Sequence, residues 1–334
     1  MRPIRFIRDD TDYRFMRFAR FGYALSGLCM IASVLLFLTV GLNYGIDFEG
    51  GTVIEIQTPQ PADLAQLRST VGGLGLGEVE VQGLGQPDQV MIRVGKQEGE
   101  QAQQDTLAKV RNALGPDVTY LRTEVVGPKV SGELAQMGTI AVLISMIGIL
   151  IYIWFRFEWQ FALGAILSLV HDVVLTIGLF CLLGIQFNLT IIAAVLTIVG
   201  YSLNDTVVVF DRIREYLRKY KSMKLIDLID LSLNSTLSRT ILTSVTAFLA
   251  MLSLYVFGGE VLRGFTFAML WGVIIGTYSS IFVAAPILLL VGVKRDWSAV
   301  AEKGSVNVRT GATAAAAGKR GTAAGTSGTS AQRS

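Results

Sequence analysis

The stretch AAVLTIVGYSLNDTVVVFDRIRE, residues 193–215, is an apolar run long enough to cross a bilayer. It is interrupted by Asn204 and Asp205 and closed by Asp211, Arg212, Arg214 and Glu215. At 1.5 Å of rise per residue, Asp205 lies ~9 Å of helix inside the end marked by Asp211. An ionised carboxylate within hydrocarbon costs about 2.5–3.5 kcal/mol on insertion scales, so a chain that keeps one usually has a use for it. The expectation is that Asp205 takes up and releases protons and that the rest of the chain turns this into motion. The alternative is a buried helix contact whose carboxylate is paired or permanently protonated.

Composition agrees with a membrane class. The 334 residues are 51% hydrophobic and only 16% charged, and the net charge of +3 averages over very uneven segments. Cys29 and Cys181 both lie in apolar runs and CxxC is absent, so a disulfide framework is excluded. With His171 the single histidine, no metal site is expected. No Walker loop, GxGxxG, HExxH or GxSxG occurs, so hydrolytic enzyme chemistry has no residues to run on.

Five further apolar runs give six spans in all: 21–42, 137–155, 161–184, 188–210, 240–257 and 264–292. Residues 1–20 form a basic arm studded with aromatics, with Arg2, Arg5, Arg8, Arg14, Arg17 and Arg20, suited to anionic lipid. Basic residues recur at Arg156, throughout a loop over 211–239, and at Lys294 and Arg295. In a six-span topology all of these fall on one side, so the positive-inside rule puts both termini in the cytoplasm and residues 43–136 outside. The tail over 293–334, rich in Gly, Ala, Thr and Ser, is expected to be disordered; Lys319, Arg320 and Arg333 suit lipid or ribosomal RNA, a solvated tail being the simpler reading.

Residues 43–136 open with the turn-rich GIDFEGGT (45–52) and then alternate in period. Strand patterns over 52–58, 78–82, 89–94 and 118–126 enclose helical patterns over 61–71 and 98–114. The order βαββαβ is that of a ferredoxin-like α+β domain, the alternative being an unspecific α+β insert.

Other polar residues inside the spans limit what Asp205 can do alone. Arg239 opens the fifth span and can reach inward while its stem stays in apolar surroundings, or it can simply anchor to headgroups. Thr243 and Thr246 continue its helical face. His171 and Asp172 sit mid-span; as neighbours they point about 100° apart, so they are not expected to share a partner. They read as a relay extension or, preferably, a structural hydrogen-bond node. Asn204 has no account beyond helix packing, nor has RIRE (212–215) beyond packing and anchoring. Gly200 with Ser202, Gly272 with Gly276, and Ser279 with Ser280 mark expected close helix approaches.

Taken together, GIDFEGGT (45–52), GPKVSGEL (127–134), His171–Asp172, GYSLNDTVVVFDRIRE (200–215), SRTILT (238–243) and GFTFAMLWG (264–272) resemble the SecF branch of the SecD/SecF family, Sec protein-export subunits within the RND superfamily. The likeness covers residues 15–295. It implies an all-α six-span transmembrane bundle, one half of an RND-type pair, with one external α+β ferredoxin-like domain. It implies a separate SecD as partner, work beside the SecYEG channel with YajC as a further candidate, unfolded preproteins as substrate, a bacterial inner-membrane location, and no nucleic acid. The proton motive force would drive preprotein translocation and release, with the proton as coupling ion and no bound cofactor. Carried onto this chain, the resemblance makes Asp205 the proton-responsive carboxylate, Arg239 its basic partner and Thr243 an accompanying hydroxyl, with a second carboxylate supplied by SecD. Asp47, Glu49, Gly50 and Gly51 belong to the family's entry motif. A small-molecule exporter of RND type and an inert scaffold are the rival readings.

Overall fold

The computed structural model describes residues 11–293 apart from residue 98. The expectations for Arg2, Arg5, Arg8, Lys294, Arg295 and the tail fall outside the described residues. Six helical segments are long and apolar enough to cross a membrane: Phe15–Thr39, Pro128–Arg156, Trp159–Leu183, Leu189–Lys219, Leu225–Phe257 and Val261–Val291. The chain is therefore a six-span bundle carrying one α+β domain.

The α+β domain follows the first long helix, α1 (Ala19–Thr39), and a single helical turn, α2 (Ile46–Glu49), within the segment expected to be only turns. Then come β1 (Gly51–Gln57), α3 (Leu64–Gly72), β2 (Val79–Gly83), β3 (Gln89–Val94), α4 (Glu100–Leu114) and β4 (Thr119–Val126). The sheet order is β2-β3-β1-β4 with every pairing antiparallel, the split βαβ arrangement of a ferredoxin-like unit. Alternation along the strands sends Ile54, Ile56, Val90, Ile92 and Val94 to one face, where they pack with Val71 and Val110 from the two helices. The carboxylate of Asp63 starts α3 by accepting from the Ala65 and Gln66 amides at 2.9 and 3.0 Å.

After the sheet domain the bundle resumes with α5 (Pro128–Arg156), which starts nine residues before its apolar run, with Pro128 at the first turn, where its missing N–H costs nothing. α6 (Trp159–Leu183) and α7 (Leu189–Lys219) follow, then α8 (Leu225–Phe257). The expected basic loop over 211–239 is mostly helix: α7 continues through its charged end, α8 starts at Leu225, and only 220–224 turn. Ile213 and Leu217 from one helix and Leu228, Ile229, Leu233 and Leu237 from the other form a buried apolar seam. The charges between them mask this seam in a hydropathy reading. The chain's start docks onto the same extension: the Tyr13 amide donates to Asn234 Oδ1 at 3.0 Å, and the Met16 amide to Asp230 Oδ1 at 2.9 Å.

The last span is α9 (Glu260–Ser279), a π-helical turn over Ser280–Ala284, and α10 (Ala285–Val291). Pro286 has no N–H for the carbonyl four residues earlier and would crowd it, and the widened turn just before it relieves that conflict. This span is central, with 67% of its most apolar window buried, against 6% for α8 and 11% for α5. α7 packs against α9 where Gly272 and Gly276 face Ile198 and Ser202: a Cβ at Gly272 would lie 2.2 Å from Ile198 Cγ1. Gly200, expected beside Ser202 in such a contact, instead faces open space.

Gly272→Val should therefore overpack the α7–α9 contact by about 1–3 kcal/mol. The check is the thermal unfolding midpoint in detergent, with Gly148→Val, at a glycine that has nothing within 4 Å, expected to leave it unchanged.

Candidate functional site

Two polar faces run along α7. Ser202 and Thr206, four residues apart, point towards α6 and the last span; Tyr201 and Asp205, also four apart, point towards α8. The first face is fully satisfied. Asp172 on α6 is 0% exposed, and its Oδ2 accepts from Ser202 Oγ at 2.5 Å and from Ser279 Oγ at 2.8 Å. Its Oδ1 lies 2.9 Å from His171 Nδ1, and Thr206 Oγ1 meets Ser280 Oγ at 2.9 Å. Beyond the bond between them, His171 and Asp172 meet different residues, in line with their angular separation. They bond each other, and the adjacent pair Tyr278 and Ser279 on α9 spans the same angle, so the imidazole lies over the Tyr278 ring with centroids 6.0 Å apart. Ser279 and Ser280 thus act as hydrogen-bonding groups as well as small residues.

The second face is not satisfied. Asp205 is 4% exposed and its Oδ2 has no hydrogen-bond partner; neither has the buried Thr240 Oγ1 that faces it from α8. Thr240 and Arg239 lie within electrostatic reach of the carboxylate, but Arg239 is exposed and, among the described residues, no cation forms an ion pair with Asp205. Thr243 turns back on its own helix, donating to the Arg239 and Thr240 carbonyls at 3.1 and 2.9 Å. Around them, Tyr201 OH donates to Ser244 Oγ at 3.3 Å and Ser244 Oγ meets Thr277 Oγ1 at 2.7 Å. The structure thus brings Asp205 and Arg239 into one neighbourhood and leaves Thr243 out of direct contact. Asn204 is exposed and makes no side-chain hydrogen bond among the described residues, so it belongs to neither face. Thr240, Tyr201 and Ser244 are additions that the sequence reading missed. The available signal was their spacing, since Tyr201 is four residues from Asp205 and Ser244 four from Thr240.

The far end of α7 is held by the entry motif of the sheet domain. Asp47 Oδ2 accepts from the Leu189 amide at 3.0 Å, and Asn188 Oδ1 from the Ile191 amide at 3.0 Å, so two side chains cap the first turn of α7. Glu49 pairs with Arg93 of β3 at 2.7 Å, and Arg93 also donates to the Tyr44 carbonyl at 2.6 Å. Backbone bonds from Gly45 to Phe187 (2.8 Å) and from Phe187 to Asn43 (2.6 Å) complete the joint. Gly50 and Gly51 make it possible: their φ angles are 75° and 133°, and a Cβ at Gly51 would lie 2.5 Å from the Val94 carbonyl. A continuous helix, ~24 Å from residue 189 to residue 205, connects this joint to Asp205.

Comparison with known proteins gives one consistent result. The family profile "Protein export membrane protein SecD/SecF, C-terminal" matches residues 106–294, and "SecD/SecF GG Motif" matches residues 35–62. The chain is 48% identical to "Protein translocase subunit SecF" of Cereibacter sphaeroides over 86% of its own length and 92% of the relative's. It is 45% identical to "Protein translocase subunit SecDF" of Brucella abortus, over 88% of this chain and 39% of that one. Among solved structures, SecDF from a Thermus species superposes with a TM-score of 0.78 at 35% identity, over 85% of this chain and 39% of that chain. The chain thus spans about two fifths of the fused SecDF protein.

Asp47→Ala should free the Leu189 amide and cost about 1 kcal/mol of capping at the start of α7. Hydrogen exchange should accelerate at amides 189–192 and stay unchanged around residue 205.

Proposed function

Because the chain belongs to the SecD/SecF family of protein-export membrane proteins, we propose that it is a proton-driven subunit of the Sec export machinery, in which protonation of Asp205 moves α7 and, through Asp47, the sheet domain. The observation that carries this reading is the contrast between two buried carboxylates on neighbouring helices. Asp172 is held by three side chains, whereas among the described residues one oxygen of Asp205 has no hydrogen-bond partner and the Arg239 charge acts on it without forming an ion pair. A carboxylate locked into a complete network resists a change of charge. One with an open oxygen and a cation within reach can be held in either form.

With Asp205 charged, attraction to Arg239 draws α7 and α8 together; with Asp205 protonated, that attraction is gone. One charge crossing the membrane field contributes ~2.3 kcal/mol per 100 mV, enough to shift a two-state equilibrium but not to drag an unfolded chain far in one step. The cycle therefore repeats, or rectifies the diffusion of a preprotein. The fused relatives support SecD as the other half, which supplies the second carboxylate of the path. In this reading the chain sits in the bacterial inner membrane beside SecYEG, with YajC as a further candidate partner. Both termini are cytoplasmic and the sheet domain is external, where it acts on emerging preproteins. The proton is the coupling ion, and neither a bound cofactor nor hydrolytic chemistry takes part.

Asp205→Asn and Arg239→Ala, co-assembled with SecD, should each reduce proton-dependent secretion by an order of magnitude or more while leaving membrane insertion and SecD co-purification intact. Full secretion by the Asn variant would instead identify an inert scaffold. Thr243→Val should have the smallest effect of the three, since its hydroxyl donates to carbonyls of its own helix and does not meet Asp205.

A further inference from the structure

At the bundle end remote from the sheet, Arg156, Asp211, Arg214, Glu215, Arg218 and Lys219 line an open cleft of about 570 Å³. The α7 residues 211, 214, 215 and 218 recur at helical spacing and share one face. Not all of their charge is free. Asp211 is taken up by Arg156, whose Nη2 donates to both carboxylate oxygens at 2.6 and 2.5 Å. Glu215 accepts from Arg212 at 2.8 Å. That leaves Arg214, Arg218 and Lys219, none with a carboxylate at ion-pair distance among the described residues. Arg214 is also held in place: its Nη1 donates to the Arg156 carbonyl at 3.3 Å, and its guanidinium lies 5.7 Å from the centroid of the buried Phe157 ring. The cleft therefore presents a positioned guanidinium fork with two further cations beside it, a geometry suited to a phosphate group.

The cleft's depth in the membrane follows from the aromatics beside Arg156. Trp154, Phe155 and Trp159 are 72%, 85% and 57% exposed, a belt of the kind that marks the headgroup level. Ile147 and Ile151 continue the exposed stripe along α5, where acyl chains would lie. The anion concentrated at that level of a membrane is the headgroup of an anionic phospholipid. We propose that this cleft binds one anionic phospholipid, with its phosphodiester between Arg214 and Arg218 and its chains along the α5 stripe. The site is separate from Asp205 and does not rest on the proton-coupling reading.

The test uses the full chain with Trp271→Phe and Trp297→Phe, so that Trp154 and Trp159 report. It is reconstituted in vesicles of fixed phosphatidylglycerol and phosphatidylcholine content in which one lipid or the other carries brominated chains. Quenching should show a preference for phosphatidylglycerol of about fivefold or more, the scale of one unpaired cation near a charged surface. Arg214→Gln/Arg218→Gln should abolish that preference, quenching by brominated phosphatidylglycerol falling as quenching by brominated phosphatidylcholine rises to the level set by vesicle composition. Arg218→Gln alone, at an exposed residue without described contacts, should reduce it and guards against misfolding of the double variant. Equal quenching by the two lipids, or a preference that survives the double variant, overturns the proposal. Loss of the preference on adding millimolar inorganic phosphate assigns the cleft to free phosphate instead. Loss on adding an acidic peptide alone assigns it to a protein partner.

Discussion

Inside a bilayer, polar groups have only one another to bond with, since the hydrocarbon offers neither donors nor acceptors. α7 carries this constraint through the middle of the bundle. On the side of α6 and the last span both oxygens of Asp172 are met, because Ser202, Ser279 and His171 converge on them, while His171 Nε2 and Ser168 Oγ have no partner among the described residues. Such a closed network fixes the relative rotation of three helices, and the glycines at 272 and 276 let two of them come close enough to form it. On the side of α8 the demand is left partly open at Asp205 and Thr240. The bundle thus combines a densely bonded seam with a neighbouring, more sparsely bonded one, and the less buried helix, α8, borders the second.

The connection between this seam and the sheet explains why the entry motif needs its residue types. A small domain attached by one flexible strand would not follow a tilt of the bundle. Here the strand enters through a one-turn helix whose carboxylates point in two directions, Asp47 to the start of α7 and Glu49 to Arg93 in the sheet. Gly50 and Gly51 then let β1 leave at an angle that no side chain at Gly51 would permit. α7 thus runs unbroken from the Asp47 cap at its first turn past Asp205.

Much of this was legible in the sequence. The four strands and two helices of the sheet domain follow from alternating and helical periods, and their order alone specified the ferredoxin-like arrangement. The spans followed from length and hydropathy. What hydropathy hid was helix under charge: in residues 211–219 and 225–239 the buried positions of Ile213 and Leu217 are diluted by Arg212, Arg214, Arg218 and Lys219, and those of Leu228 and Ile229 by Asp227 and Asp230. The relay region was legible only as residue types. Sequence spacing placed Thr243 on the face of Arg239, yet a threonine in a helix can bond the carbonyl three or four residues back, and here it does. The same spacing argument gave His171 and Asp172 different partners, and the adjacent pair Tyr278 and Ser279 on the last span meets them one each.

The π turn at Ser280–Ala284 bears on how the last span is to be aligned with its relatives. A turn closed over five residues amounts to a single inserted position, so the face presented by α10 is out of phase with that of α9. Any comparison that treats the span as one uniform helix will assign the wrong inward residues on one side of the turn. Loss of one residue there would restore phase and turn Ile287 and Leu288 away from the core in which they are now buried. The length of this span is therefore constrained to the residue.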